Sequence, residues 1–200
     1  MNLRRYLLAL FAVFALTVSV NAGVSNTVAT FADPSGNANN PLFVVDFTND
    51  SITGGWNQSG MILNVPMAGA IYNDATFTMT PLVYSANETG GDYASGGIIK
   101  FFDASNTEVL KIEFNRLYLE SRESGLNGQD AYGDGVTITG LGIGQLQDEQ
   151  FGFTFVNIQD LNQVNGYQAT ASFTSSAVPE PATMALLGIG GLGFVRRKKH

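Results

Sequence analysis

The central part of this chain predicts an all-β fold, an antiparallel β-sandwich that is jelly-roll-like in size. Its apolar segments alternate apolar and polar side chains with a period of two, as half-buried strands do. Clusters of Gly, Asn, Asp and Ser separate these segments. No segment between the two termini keeps a helical period. About nine short strands joined by such turns are typical of an antiparallel sandwich.

The strands can be placed in order along the chain. Segment 75–80 puts Phe77 and Met79 on one face and threonines on the other, which predicts a half-buried strand. Turn-forming residues at 103–106 separate two such segments and predict a hairpin. The segments predicted as strands are 43–47, 61–65, 75–80, 97–102, 108–114, 116–122, 136–139, 151–158 and 167–173.

The segments between these strands predict loops. Residues 32–41, 87–97 and 123–135 are rich in Gly, Asn or acidic side chains and contain no apolar run. The small residues of 172–177 predict a flexible tether at the end of the domain. We therefore expect one folded domain over residues 23–177.

The N-terminal residues 1–22 have the pattern of a secretory signal peptide, which is expected to be helical. Two arginines precede an apolar run, and small side chains at Val20 and Ala22 stand where a signal peptidase reads the chain. The run is short for a membrane span, so cleavage before Gly23 is favoured over the alternative, an uncleaved N-terminal anchor.

The C-terminal residues 178–200 form a separate module. Two prolines hold the chain extended and prevent a helix from running back into the domain. The apolar segment 182–195 would span roughly 21 Å as a transmembrane helix, against a hydrocarbon core of about 30 Å. The cations that follow it would stay on the cytoplasmic side. The residues that define the module are Val178, Pro179, Glu180, Pro181, Arg196, Arg197, Lys198 and Lys199.

Together these residues resemble the PEP-CTERM sorting signal of Gram-negative bacteria, which combines a VPEP-type motif, a short Gly-rich apolar segment and an Arg-rich end. The resemblance implies that an exosortase, a membrane transpeptidase-like enzyme, recognises the tail while it lies transiently in the inner membrane. It also implies export to the cell envelope, the cell surface or the exterior. Because such systems accompany exopolysaccharide production, it places the protein near a biofilm matrix. The alternative is a plain C-terminal membrane anchor.

Composition narrows the function of the exported domain. Of the ten Lys and Arg, six lie in the two terminal segments, and sixteen of the seventeen acidic residues lie between them, so residues 23–177 carry a net charge of −12. Such a surface repels nucleic acid. The chain has no cysteine, and its one histidine is His200. The domain therefore lacks disulfides, Cys nucleophiles, Ser-His-Asp triads and His-ligated metals.

Two acidic clusters are candidates for Ca²⁺ binding. Asp130 and Asp134 lie among glycines and oxygen-bearing side chains, which is the composition of a Ca²⁺ loop, although the spacing does not match an EF-hand. Asp46 and Asp50, beside Thr48, form a weaker cluster. A solvated turn is the alternative at each site.

Two further sites bear on carbohydrate chemistry. Glu113 and Glu120 are predicted on neighbouring strands and could form an acid–base pair for glycoside hydrolysis, although cross-strand salt pairing with nearby cations is the simpler interpretation. Trp56, flanked by amide side chains, could stack on a sugar if it were exposed. A lone tryptophan is more often part of a core.

The sequence thus predicts a structural or adhesive protein of the cell surface or extracellular matrix, without enzymatic activity. One alternative is a lectin-like module that binds exopolysaccharide, and another is a carboxylate-based polysaccharide hydrolase. The expected partners are the exosortase, signal peptidase, the inner membrane during export, and exopolysaccharide. No cofactor is expected apart from the Ca²⁺ candidates.

The signal peptide generates a direct prediction: the exported protein begins at Gly23. Val20 and Ala22 fit the small pockets of signal peptidase, and the apolar run ends just before them. N-terminal sequencing of the exported material checks this. A protein that still begins at Met1 would show that the segment is an uncleaved anchor.

Overall fold

The computed structural model describes residues 24–37, 39–86, 92–121, 129–162 and 164–179. The signal helix predicted at 1–22 and the transmembrane helix predicted at 182–195 lie outside the described residues. No helix within them is both long and apolar enough to span a bilayer.

The described chain is all-β, as predicted. Its single helical element is a short 3₁₀-helix at Pro66–Ala68, which begins where Pro66 ends a strand. The strands are β1 (Asn26–Phe31), β2 (Phe43–Asp46), β3 (Ser51–Trp56), β4 (Leu63–Val65), β5 (Ala70–Tyr72), β6 (Thr76–Met79), β7 (Leu82–Ser85), β8 (Asp92–Phe102), β9 (Glu108–Ser121), β10 (Gln129–Asp134), β11 (Thr137–Gly140), β12 (Leu146–Asp160) and β13 (Gly166–Pro179).

Eight of these strands close into an antiparallel barrel. Around the ring the order is β12, β10, β9, β8, β6, β3, β2 and β13, and β13 pairs back onto β12. This closing pair extends from Leu146 opposite Pro179 to Asp160 opposite Tyr167. Each strand of the ring therefore has a hydrogen-bonded partner on both sides.

The closed ring corrects the predicted sandwich. All thirteen strands belong to one sheet, whereas a jelly-roll sandwich has two. The period-two pattern identifies which face of each strand is buried, and that face is the same in a sandwich and in a barrel. What distinguishes the two folds is which edges pair, and the alternation carries no information about that.

A second branch of the sheet starts from β13. On one edge β13 pairs with β2 through residues 166–169 and with β1 through residues 173–177. β4 then pairs with β1, and β5 with β4. The extension buries Met61 and Leu63, so it enlarges the apolar core.

Phenylalanines fill the middle of the molecule. Phe31 stacks on Phe173 with ring centroids 5.4 Å apart and on Phe77 at 5.9 Å. Phe43 packs against Phe153 at 4.8 Å, and both side chains are at most 2% exposed. Aromatic pairs contribute about 0.5–1.5 kcal/mol each beyond the area that they bury. This packing joins β1, β2, β6, β12 and β13 in one core.

A crease crosses the barrel wall through β8 and β9. After Val109, which is buried at the start of β9, the buried side chains alternate. They are Leu110, Ile112 and Phe114 before Asn115, and Leu117 and Leu119 after it. Just before Asn115 the even-numbered residues face inward, and after it the odd-numbered residues do. The pairing with β8 keeps its register on both sides of Asn115. Segments 108–114 and 116–122 were predicted as separate strands, but β9 runs from Glu108 to Ser121 without a turn.

Glycines allow the wall to bend at the crease. Gly96 of β8 lies across from Asn115, and Gly135 follows β10 with a φ of 61°. A Cβ placed at Gly135 would overlap Nδ2 of the Asn115 side chain. The side chain of Asn115 therefore occupies space that only a glycine neighbour leaves open.

Three segments predicted as loops or as a tether contain strand residues. Segment 87–97 includes the start of β8, segment 123–135 contains β10, and the predicted tether at 172–177 lies within β13. There Ser175 is 1% exposed, accepts a hydrogen bond from the Ala29 amide at 3.1 Å and donates one to the Ala29 carbonyl at 3.2 Å. The predicted flexible tether is therefore a paired strand, and the Ser175 hydroxyl adds side-chain bonds to the pairing of β1 with β13.

The crease predicts that Gly96→Ala destabilises the fold. The new Cβ would lie 2.5 Å from the Phe114 carbonyl oxygen and 2.7 Å from that of Asn115, both of which are backbone atoms. Overpacking of this kind costs about 1–3 kcal/mol, measured as the free energy of unfolding in urea. Gly144→Ala is the matched control, because nothing lies within 4 Å of its added Cβ. Equal stabilities of the two variants would contradict the packing at the crease.

Candidate functional site

Three tyrosines form a row across the outer face of the barrel. Tyr93 on β8 lies opposite Tyr118 on β9, and Tyr118 lies opposite Tyr132 on β10. The rings of Tyr118 and Tyr132 stack with centroids 5.3 Å apart and planes 23° from parallel. Tyr132 is 39% exposed. Cross-strand aromatic neighbours of this kind stabilise a sheet, and they also expose ring surface to solvent.

Charged side chains hold the tyrosine row in place. The Arg116 guanidinium lies 5.0 Å from the ring centre of Tyr93 and 5.8 Å from that of Tyr118, and it donates a hydrogen bond to the Tyr118 hydroxyl at 3.2 Å. The Tyr132 hydroxyl donates to Glu120 Oε1 at 2.8 Å. This bond to a carboxylate raises the pKa of Tyr132, so the phenol stays protonated and the ring orientation is fixed.

A surface groove begins on the far side of Tyr132. Tyr132 lies opposite Gly152 on β12, Gly152 opposite Thr174 on β13, and Thr174 opposite Thr30 on β1. Since Gly152 has no side chain, the position beside the tyrosine ring is open. The groove has a volume of about 510 Å³, which is in the range of small-molecule sites.

Polar side chains line the rest of the groove. Thr30 donates its hydroxyl to the Phe173 carbonyl at 2.9 Å, whereas Thr154, Ser172 and Thr174 make no hydrogen bond through their side chains within the described chain. Asp130 adds a carboxylate. The arrangement combines one aromatic face with several hydroxyls and an acceptor, which can bind a polar ligand that also has an apolar face.

The Ca²⁺ loop predicted around Asp130 and Asp134 is an extended strand. Both aspartates lie on β10, opposite Glu120 and Arg116 respectively, so the backbone does not curl around a common centre. Within the described residues no group of three or more acidic, His or Cys side chains could hold a metal ion. Within the described part of the predicted loop, residues 129–134 are strand positions, which the pairing with β9 and β12 defines.

The second acidic cluster stabilises a turn. Asp46 Oδ1 accepts hydrogen bonds from the amides of Thr48 at 2.9 Å and Asn49 at 3.0 Å, and its Oδ2 accepts one from Asn49 Nδ2 at 2.7 Å. These bonds, that of the Asn49 side chain foremost, lower the pKa of Asp46 below the usual value of an aspartate. Asp50 follows in the left-handed region, with a φ of 47°. The carboxylate of Asp46 thus stabilises the turn that connects β2 to β3.

Glu113 and Glu120 do not form an acid–base pair. They are seven positions apart on the same strand, β9, which is roughly 23 Å at 3.3 Å per residue and far beyond the separation of about 5–10 Å in glycosidases. Glu113 pairs with Lys111 at 3.2 Å, and Glu120 accepts the Tyr132 hydroxyl. The predicted pair depended on a turn at Asn115, where the structure instead has the crease.

Trp56 lies in the core. It is 5% exposed and its indole nitrogen is buried without a hydrogen-bond partner in the described chain. The ring therefore does not present a face to solvent, which a sugar-stacking platform requires. Its position on β3 opposite Phe77 agrees with the alternative interpretation as a core residue.

The first residues of the C-terminal module belong to the barrel. Val178 pairs with Gln147 and Pro179 with Leu146. Asn26 lies opposite Ala177, so β1 starts where β13 ends. The signal cleavage residues Ala22 and Gly23 lie outside the described residues, as do Glu180, Pro181 and the basic residues Arg196, Arg197, Lys198 and Lys199.

The sequence analysis did not predict the groove. Alternation along 116–122 places Tyr118 on the outer face, and alternation along 129–134 places Tyr132 there. Nothing in the sequence pairs Tyr132 with Gly152, because that contact depends on the register between β10 and β12.

Comparison with known proteins identifies the C-terminal module. Residues 177–199 match the family model described as the PEP-CTERM protein-sorting motif. Neither the curated proteins nor the solved structures give a match to this chain. The motif concerns the tail alone and gives no function to the barrel.

Asp46 predicts a pH-dependent contribution to stability. Its pKa is lower in the folded state than in the unfolded state, so its contribution is complete above the unfolded pKa and is lost as the pH falls through the folded pKa. Asp46→Ala should therefore lower the urea midpoint most near about pH 7 and much less near about pH 2. Asp160→Ala, which removes an exposed carboxylate at the end of β12, is the control. An equal loss for Asp46→Ala at both pH values would refute the assignment.

Proposed function

We propose, from the PEP-CTERM motif at residues 177–199, that this protein is a structural or adhesive component of the cell surface or of a biofilm matrix. The motif marks an exported protein that an exosortase sorts to the cell surface. This observation carries the proposal. Beyond sorting, we propose a role in the surface layer or matrix. We also propose a domain boundary near residue 178, after which the tail acts as a sorting signal.

The architecture of the barrel supports a role outside the cell. The chain contains no cysteine, so the domain reaches its stability by packing alone and does not depend on the redox state of its compartment. Its aromatic core and closed ring of strands provide that packing. A durable domain with few exposed apolar side chains suits a passive structural or adhesive task.

In this proposal the barrel has no catalytic role. The carboxylates considered for glycoside hydrolysis, Glu113 and Glu120, are far apart on β9 and bond to Lys111 and Tyr132. The acidic residues of the β2–β3 connection stabilise a turn. These observations favour binding over hydrolysis of a matrix polymer.

A lectin-like, carbohydrate-binding domain is the second candidate. The observation that favours it is the groove beside Tyr132, in which an exposed aromatic ring meets threonine and serine hydroxyls. A carbohydrate-binding function is compatible with the first proposal, because an adhesive protein of a matrix needs a ligand to adhere to.

Replacing Pro179, Glu180 and Pro181 by alanine should prevent processing by the exosortase. The substitution keeps the apolar segment and the cations at 196–199, so a plain anchor would behave as before, whereas a sorting signal would fail. The measurement is the size and the fractionation of the protein in a host that contains an exosortase.

The control carries three alanines at the exposed residues 57–59. We expect the control to be processed like wild type and the tail variant to remain unprocessed in the membrane fraction. A tail variant that is processed and distributed like wild type would show that the tail is only an anchor.

A further inference from the structure

We propose that the groove between Tyr132 and Thr174 binds a glycan chain of neutral or amino sugars. This inference rests on the second proposed function, since it names the site and the ligand class of the lectin-like domain. It does not depend on the sorting of the tail, because the groove is formed by the barrel alone.

The shape of the groove comes from one missing side chain. Tyr118 covers one face of the Tyr132 ring at 5.3 Å, so the other face points across β12 toward β13. Gly152 lies directly beside it, and the next side chain on that row is Thr174. Two strand spacings of about 4.8 Å separate the backbones that carry Tyr132 and Thr174. The slot is thus wide enough for a ring that stacks on the tyrosine.

The polar lining matches a polyhydroxyl ligand. Sugars present C–H faces that pack on aromatic rings, and hydroxyls around their edge that donate and accept hydrogen bonds. Tyr132 offers the ring face, and the side chains of Thr154, Ser172 and Thr174 offer groups that can do both. No described residue bonds to those three hydroxyls, so a ligand does not have to displace a protein partner.

The groove has a rigid floor. This floor consists of β10, β12, β13 and β1, which pair without interruption at residues 129–132, 150–156 and 173–175. Inner side chains of the same strands, Phe153 and Phe173, pack against each other at 5.1 Å. The site is therefore formed before a ligand arrives, which reduces the entropy cost of binding. It is an open surface groove, so the interior of a polymer can lie in it.

Charge selects among glycans. Asp130 lines the groove, and Glu120 and Asp134 lie on the neighbouring outer positions of β9 and β10. The cation Arg116, on β9, is engaged by the rings of Tyr93 and Tyr118. The domain as a whole carries a net charge of −12. Uronic acids and sulfated sugars are repelled by this field, whereas neutral sugars are not and amino sugars are attracted.

The test measures binding of the full-length chain, purified in a detergent without sugar headgroups, to immobilised hexasaccharides. The probes are neutral glucose and mannose oligomers, a glucosamine oligomer and a galacturonic acid oligomer. We expect binding to at least one of the first three and none to the galacturonic acid oligomer. Tyr132→Ala and Gly152→Val should each weaken binding by at least about tenfold, because the first removes the stacking face and the second fills the slot.

Gly152→Val should keep the fold, since its Cβ meets only the Ala131 carbonyl oxygen at 3.4 Å, an ordinary contact. Gly144→Val, at an exposed glycine outside the groove, is the matched control and should bind like wild type. Thermal unfolding confirms that each variant is folded. Binding by wild type that Gly152→Val leaves unchanged would overturn the site while the lectin-like function stands. Absence of binding to every probe would overturn the function as well, and a preference for the galacturonic acid oligomer would overturn the ligand class.

Discussion

The pairing of β12 with β13 is the interaction on which the rest of the structure depends. These strands have fifteen and fourteen residues, and within the described chain only β9, also of fourteen, is as long as β13. Their ladder closes the ring of eight. The opposite edge of β13 holds β2 near one end and β1 near the other. Without this ladder the sheet would be open, and the groove that crosses β10, β12 and β13 would have no floor.

The same strands explain how a chain without cysteine builds a stable core. Phe153 and Phe155 project inward from β12, and Phe173 from β13, to meet Phe31 and Phe43 from strands at the start of the domain. The outward positions between them carry Gly152, Thr154 and Thr174. Core and groove are therefore the two faces of one pair of strands, and alternation along the chain specifies both.

The sequence predicted correctly which side chains are buried, because the alternation of apolar and polar residues along a strand determines its buried face. Phe77 and Met79, predicted to share one face of a half-buried strand, are both buried. The wrong predictions concern segments whose structure depends on contacts with distant parts of the chain. Segments 108–114 and 116–122 were predicted as separate strands, yet Gly96, across from Asn115, allows one strand to continue through the crease. Ser175 was taken for part of a flexible tether, yet it bonds to Ala29, 146 positions away in sequence. Trp56 lies in the core, as the alternative interpretation of a lone tryptophan expected, and not at an exposed sugar-stacking site.

The position of the tail on β13 also determines how the domain would carry mechanical force. Val178 and Pro179 continue the strand that is flanked by β12 on one edge and by β1 on the other. A pull on the C-terminus acts along this strand and perpendicular to its hydrogen bonds, so the ladder is sheared as a whole and is not opened one bond at a time. A domain held at a surface through this end would resist flow by its most strongly paired strand, and its groove, which lies across the same strands, would keep its shape under tension.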